Sequence, residues 1–135
     1  MIEAAQALVQ RHSLLAPMVG HVGDGNFHML LLVDPSSDAE MGAAAACVDE
    51  MVAAAQNMGG TCTGMRCGDH PHKHHFPHHN ALIILATKTG EHGVGYGKLR
   101  YLEAERGAVA MDVMAAIKRA LDPCNLLNPG KLGSC

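Results

Sequence analysis

His21-Val22-Gly23-Asp24-Gly25-Asn26-Phe27-His28 sets two imidazoles on either side of a turn. Asp-Gly between apolar runs predicts a β-hairpin with a two-residue type I′ turn. Both of its central positions need φ > 0, which Gly supplies freely and Asp tolerates. Centred on Asp24-Gly25, the pairing places His21 directly opposite His28. Residues so opposed share one face, with Cβ atoms about 4.5–5.5 Å apart, so both rings can reach one divalent ion. Gly23, Asp24 and Gly25 also leave room for a ligand to approach the backbone. The same eight residues make an ordinary hairpin with two solvated histidines, and what tells against that is a second stretch, Glu91-His92.

The hairpin's surroundings follow from hydrophobic spacing. Ile2, Ala5, Leu8, Val9 and His12 recur at helical intervals, predicting an amphipathic helix from residue 2 to about 13, ending near Pro17. Met18–His21 and Phe27–Val33 are the two strands, and Met29-Leu30-Leu31-Leu32-Val33 has the composition of a buried one. Asp34-Pro35-Ser36-Ser37-Asp38 is turn chemistry with a helix N-cap at its end. An Ala-rich helix then runs to about Met58 and stops at Gly59-Gly60. Helical sequence resumes at Leu99. Val109, Val113, Ala116, Ile117, Ala120 and Leu121 form the apolar face of a last helix that Asp122-Pro123 ends. Asn128-Pro129-Gly130-Lys131 makes a terminal turn. The pattern predicts an α+β fold, an antiparallel sheet with helices packed on one face.

Composition narrows the function. With 135 residues the chain suits one domain, and Met1 opens into helical sequence rather than a signal or transit peptide. A net charge of −3 and pI near 6.3 argue against nucleic acid as a partner, and 3% aromatic residues are too few for stacking on single strands. No apolar run approaches the ~20 residues of a membrane span. The five cysteines include no C-x-x-C pair and read as reduced thiols.

Between Thr61 and Lys98 the composition changes. Gly60-Thr61-Cys62-Thr63-Gly64 leads to Met65-Arg66-Cys67-Gly68-Asp69 and then to His70-Pro71-His72-Lys73-His74-His75-Phe76-Pro77-His78-His79, which holds six of the ten histidines. Beyond a short apolar run, Ala81–Ala86, comes Glu91-His92-Gly93-Val94-Gly95-Tyr96-Gly97-Lys98. Two imidazoles and one carboxylate make a three-ligand site with coordination positions left open for water or substrate. His92, next to Glu91, is better placed as an acid–base group, its ordinary pKa near 6.5 suiting removal of a hydroxyl proton. Neither glycine-rich stretch completes a nucleotide fingerprint: His28 stands where the third Gly of G-x-G-x-x-G belongs. A phosphate loop ending at Gly97-Lys98 would need Gly at 92 and Ser or Thr at 99, where the chain has His and Leu. Lys98 and Arg100 read as solvated helix-end charges, and Met29, Met51, Met58, Met111 and Met114 as core packing.

His-Val-Gly-Asp-Gly-Asn-Phe-His, Gly-Thr-Cys-Thr-Gly beside Glu-His-Gly-Val-Gly, and a final Leu-Asp-Pro-x-x-Leu-Leu-Asn-Pro-Gly-Lys together resemble the C-terminal lobe of the FAD-linked oxidases. The likeness is greatest to the mitochondrial D-lactate dehydrogenase branch, with the D-2-hydroxyglutarate dehydrogenases near it. It implies part of a ferredoxin-like substrate lobe ending in C-terminal helices. The implied activity is oxidation of D-lactate or a related D-2-hydroxy acid to the 2-oxo acid, with a hydride passing to FAD. By the same resemblance His21, His28 and Glu91 hold a divalent metal, Mn or Zn, and His92 takes the substrate's proton. Asn128 lies near the flavin, and the electron acceptor is cytochrome c or an electron-transfer flavoprotein, in mitochondria. The family's flavin-binding domain is expected to be absent from this chain, leaving the isolated lobe inactive.

The family runs Thr-Gly straight into Glu-His-Gly, whereas here Thr63-Gly64 and Thr89-Gly90 bracket extra sequence. Residues 1–64 and 91–135 are therefore expected to form the lobe. Residues 65–90 read as a His-rich, unstructured insert with the look of a retained intron or a gene-model error. Two other functions fit parts of the sequence: a zinc- or nickel-binding module through Cys62, Cys67 and the His70–His79 cluster, and a non-catalytic interaction domain.

Overall fold

Burial alternates along β2 (Asn26–Leu32): Phe27, Met29 and Leu31 are buried, whereas His28 and Leu30 are half-buried and Leu32 is exposed. Alternate strand residues point to opposite faces, so one face of β2 belongs to the core and the other carries His28. The core face is covered by α1 (Ile2–Arg11) and α2 (Asp38–Asn57). Ala5 and Val9 of α1, and Ala44, Cys47, Val48, Met51 and Val52 of α2, pack with Phe27, Met29 and Leu31 in one cluster. Each large apolar side chain buried there contributes roughly 1.5–3 kcal/mol relative to exposure. The computed structural model describes residues 1–63, 81–87 and 93–131.

Three more strands complete the sheet among the described residues: β1 (Met18–His21), β3 (Thr61–Thr63) and β4 (Ala81–Thr87). Their order is β1-β2-β4-β3, with every neighbouring pair antiparallel. This is the α+β arrangement of an antiparallel sheet with helices on one face that the sequence predicts. One element is a correction. β4 lies inside the stretch 65–90 expected to be unstructured, yet it pairs along its whole length with β2 and holds β3 on its other edge. An apolar run such as Ala81–Ala86, rich in Leu and Ile, satisfies its backbone by entering a sheet. The His70–His79 cluster lies outside the described residues.

Local chemistry sets the ends of the helices. Ser37 caps α2, its hydroxyl accepting from the Glu40 N–H at 3.3 Å, while Glu40 Oε2 accepts from the Asp34 N–H at 2.8 Å. The cap is thus one residue earlier than the end of the turn sequence suggests. α3 (Gly95–Arg106) starts four residues before Leu99, where the apolar pattern resumes, and Gly107, at φ 80°, turns the chain into α4 (Ala108–Leu121). On α4 the apolar ridge Val109, Val113, Ile117 and Leu121 is more than half exposed throughout. α4 packs mainly on α3 and leaves that face outside the core.

Candidate metal and substrate site

Cα pairing in the hairpin runs Met18 with Met29, Val19 with His28, Gly20 with Phe27 and His21 with Asn26. The predicted direct opposition of His21 and His28 is therefore wrong by two residues. The reason is the turn. Val22–Asp24 form a single 3-10 turn closed by Gly25 N–H donating to the Val22 carbonyl at 3.0 Å, and only Gly25 takes a left-handed conformation, at φ 72°. The loop is thus four residues built around a type I-like turn rather than two residues of type I′.

A shift of two keeps side-chain parity. His21 still shares a face with Asn26, and Asn26 with His28, so the two imidazoles are diagonal neighbours on the open side of the sheet. Diagonal positions lie about 7–8 Å apart, still within reach of ring side chains. His21 is exposed and His28 half-buried, with Asn26 buried between them on that face. Asn26 is a site-facing residue that turn chemistry concealed. Its place two residues before His28 in a strand was the available signal.

Glu91 and His92 lie outside the described residues. Among the described residues no three His, Cys, Asp or Glu side chains gather as a metal site. Gly93, which follows His92, has φ 71°, a conformation that L side chains rarely adopt. That accounts for a glycine in Glu-His-Gly. The two imidazoles on one face are donors of the kind that suits a borderline divalent ion. A cavity of about 400 Å³ opens beside the hairpin, lined mainly by Met1, Ile2, Val22, Asn26, Phe27 and Met58. Neither histidine is among its lining residues.

The terminal turn is tied down by Asp122. Its carboxylate accepts from the Leu126 N–H at 2.9 Å and the Leu127 N–H at 2.8 Å, and it is ion-paired with Lys118. Lys118 Nζ also donates to the Leu127 carbonyl at 2.6 Å. These bonds hold the Asp122 pKa down at about 2, the Lys118 contact first among them. Directly after the clamp comes Asn128, at φ 47°, whose carbonyl accepts from the Lys131 N–H at 3.2 Å.

Three expectations about side chains change. Lys98 is 2% exposed rather than solvated. Cys62, offered above as a ligand of the cysteine–histidine cluster, is 4% exposed and packed in the core. Met29 and Met51 are core residues as expected, whereas Met58 is 55% exposed.

The family model for "FAD linked oxidases, C-terminal domain" matches residues 1–65 and 86–132. The chain belongs to this family. It is 37% identical over 98% of its length to D-lactate dehydrogenase [cytochrome], mitochondrial, of Arabidopsis thaliana. It is 36% identical over 90% to a probable mitochondrial D-lactate dehydrogenase of Danio rerio, and 31% identical over 98% to the glycolate oxidase subunit GlcD of Bacillus subtilis. The matches cover 19%, 19% and 23% of those proteins, so this member of the FAD-linked oxidases spans about a fifth of the relatives' length. No solved structure matches the chain. The family match passes over 66–85, most of the stretch with foreign composition, but includes the end of β4.

Proposed function

We propose that the chain is the substrate- and metal-binding lobe of a flavin-dependent dehydrogenase for D-lactate or a related D-2-hydroxy acid. His21, His28 and Glu91 would hold a divalent ion, Mn or Zn, and His92 would remove the substrate's hydroxyl proton. The observation that carries this is the common face of His21 and His28, which survives the change of register. A bound divalent ion supplies Lewis acidity toward the hydroxyl and carboxylate of the substrate. The FAD, held by sequence outside this lobe, supplies the electron sink.

The chain's own residues do the positioning. The hairpin fixes two ligands on one rigid element, so the carboxylate of Glu91 has to find only one remaining position. His92, next to that ligand in the sequence, would take the hydroxyl proton of the bound hydroxy acid. Positioned general bases contribute about 10²–10⁴-fold in rate. Asn128, on the terminal turn, would lie near the flavin. The names of the first two relatives support D-lactate as the substrate and mitochondria as the compartment. The acceptor in this reading is cytochrome c or an electron-transfer flavoprotein. Burial of Cys62 weakens the alternative of a zinc or nickel module, because it removes one of the two thiols from that ligand set.

Titration of the chain with Mn(II) and Zn(II) tests the ligand assignment. His21→Ala and His28→Ala are each expected to weaken the tightest site by at least about tenfold, the low end of what even the outer-shell partners of metal ligands contribute. Unchanged affinity and stoichiometry in both variants would contradict it.

A further inference from the structure

On α4 the large apolar residues point outward. Val109, Val113, Ile117 and Leu121 recur every fourth residue and are 78%, 54%, 55% and 78% exposed. Four residues advance the helix by little more than one turn, so these side chains form one continuous ridge. Ala116 and Ala120, also exposed, lie beside it and are small enough to let a second backbone come close. Monomeric proteins rarely leave a contiguous apolar surface of this kind to water, and one that persists marks an interaction site. Two charges border the ridge. Asp112 and Arg119 are seven residues, or two turns, apart, so they stand on the same edge of it. Both are exposed, and neither forms an ion pair among the described residues. About 10 Å of helical rise separates them, too far for them to pair with each other.

We propose that this ridge is an interface for a second copy of the chain, joined as an antiparallel pair of α4 helices about a twofold axis. Pairing centred between Val113 and Ile117 sets Val109 of one copy against Leu121 of the other, and Val113 against Ile117. A twofold axis perpendicular to both helices keeps each charged edge on its own side of the contact. Asp112 of one copy then stands within one residue of Arg119 of the other, an offset that the long guanidinium side chain spans, and the symmetry repeats the pair. Parallel pairing would carry the two charged edges to opposite sides of the interface, where neither meets its opposite. The face is thus complementary in charge to itself in one orientation, which selects a second copy over an unlike partner. A contact confined to two helices of 14 residues falls below the roughly 1,200 Å² of a standard interface, so the dimer dissociates on dilution.

Sedimentation equilibrium of the folded 135-residue chain across a concentration series tests this. EDTA prevents metal bridging through histidines, and a reductant keeps the exposed Cys124 a thiol. The mass is expected to rise with concentration from 14.2 kDa toward twice that value. Ile117→Glu places a charge at an exposed position, so the fold should persist by circular dichroism while dimerisation is lost. Asp112→Arg and Arg119→Asp, taken singly, set like charges opposite each other and should each weaken the dimer roughly fivefold. The double swap restores the opposition and with it the affinity. Any cost of the reversed charges to the helix dipole persists in the double variant, so its recovery reads the contact between copies. A monomer at every concentration would overturn the pairing and leave the ridge to sequence that the longer relatives carry outside this lobe. A dimer indifferent to Ile117→Glu, or a double swap no tighter than the single ones, would contradict it equally. No outcome depends on metal or flavin, so the test can fail without touching the dehydrogenase proposal.

Discussion

A Cβ built on Gly20 would lie 2.6 Å from the Asn26 carbonyl oxygen and against the Cα of Phe27, its partner across the hairpin. Both neighbours are main chain or buried, and Phe27 is only 3% exposed, so neither can give way cheaply. Overpacking of this kind costs about 1–3 kcal/mol. Gly20→Ala is expected to lower stability by that amount and to separate β1 from β2, displacing His21 relative to His28. Urea unfolding measures it, with Gly23→Ala as the control, since a Cβ there meets nothing within 4 Å. Equal stability of the two variants would mean that the β1–β2 spacing is not fixed by Gly20. The pairing of glycine with phenylalanine was not legible in the sequence, because it depends on a register that the Asp-Gly signal set two residues off. That both histidines share a face was legible, since strand periodicity is unaffected by an even shift.

At the level of elements, the C-terminal turn is governed by a single carboxylate. Asp122, buried at 8% exposure, satisfies two N–H groups beyond the end of α4 and the Lys118 ammonium in its last turn. Its pKa is depressed from 3.8 to about 2 in the folded chain. A depressed carboxylate contributes stability that is present above its unfolded pKa and lost as pH falls through the folded one. The contribution should therefore be complete above about pH 5 and fade between about pH 4 and pH 2. Asp122→Asn should flatten that part of the stability–pH curve, measured by urea midpoints. It should also speed amide exchange at Leu126 and Leu127. Unaltered exchange at both amides would show that the turn is held by other contacts. From sequence, Asp122-Pro123 reads only as a helix stop. Its clamp on Leu126 and Leu127 depends on how the following loop folds back, which no periodicity records.

Over the whole molecule, the apolar spacing of α1 told correctly which of its faces meets the core, because Ala5 and Val9 are buried there. The same logic failed for α4, whose apolar ridge is real but outward. It failed also for β4, a strand whose neighbours β2 and β3 are remote in sequence. Since the chain spans about a fifth of its relatives, the lobe alone is expected neither to retain flavin stoichiometrically nor to oxidise D-lactate. Flavin absorbance of the purified chain and a D-lactate-dependent dye reduction assay check this, and steady turnover would contradict it. The six histidines of 70–79 are further imidazole donors for an added metal, and the sheet bears on how to remove them. Deleting 65–90 would take β4 with it, whereas deleting 66–80 keeps β4 and brings Thr63 and its partner Leu85 within hairpin distance along the chain. The most direct test of the metal assignment is zinc K-edge X-ray absorption on this 66–80 deletion loaded with one equivalent of zinc. The expected spectrum shows two imidazoles and oxygen donors at about 2.0–2.2 Å, with the imidazole scattering lost in His21→Ala/His28→Ala. Sulfur at about 2.3 Å, or a spectrum unaltered by the double substitution, would place the zinc elsewhere and contradict the assignment.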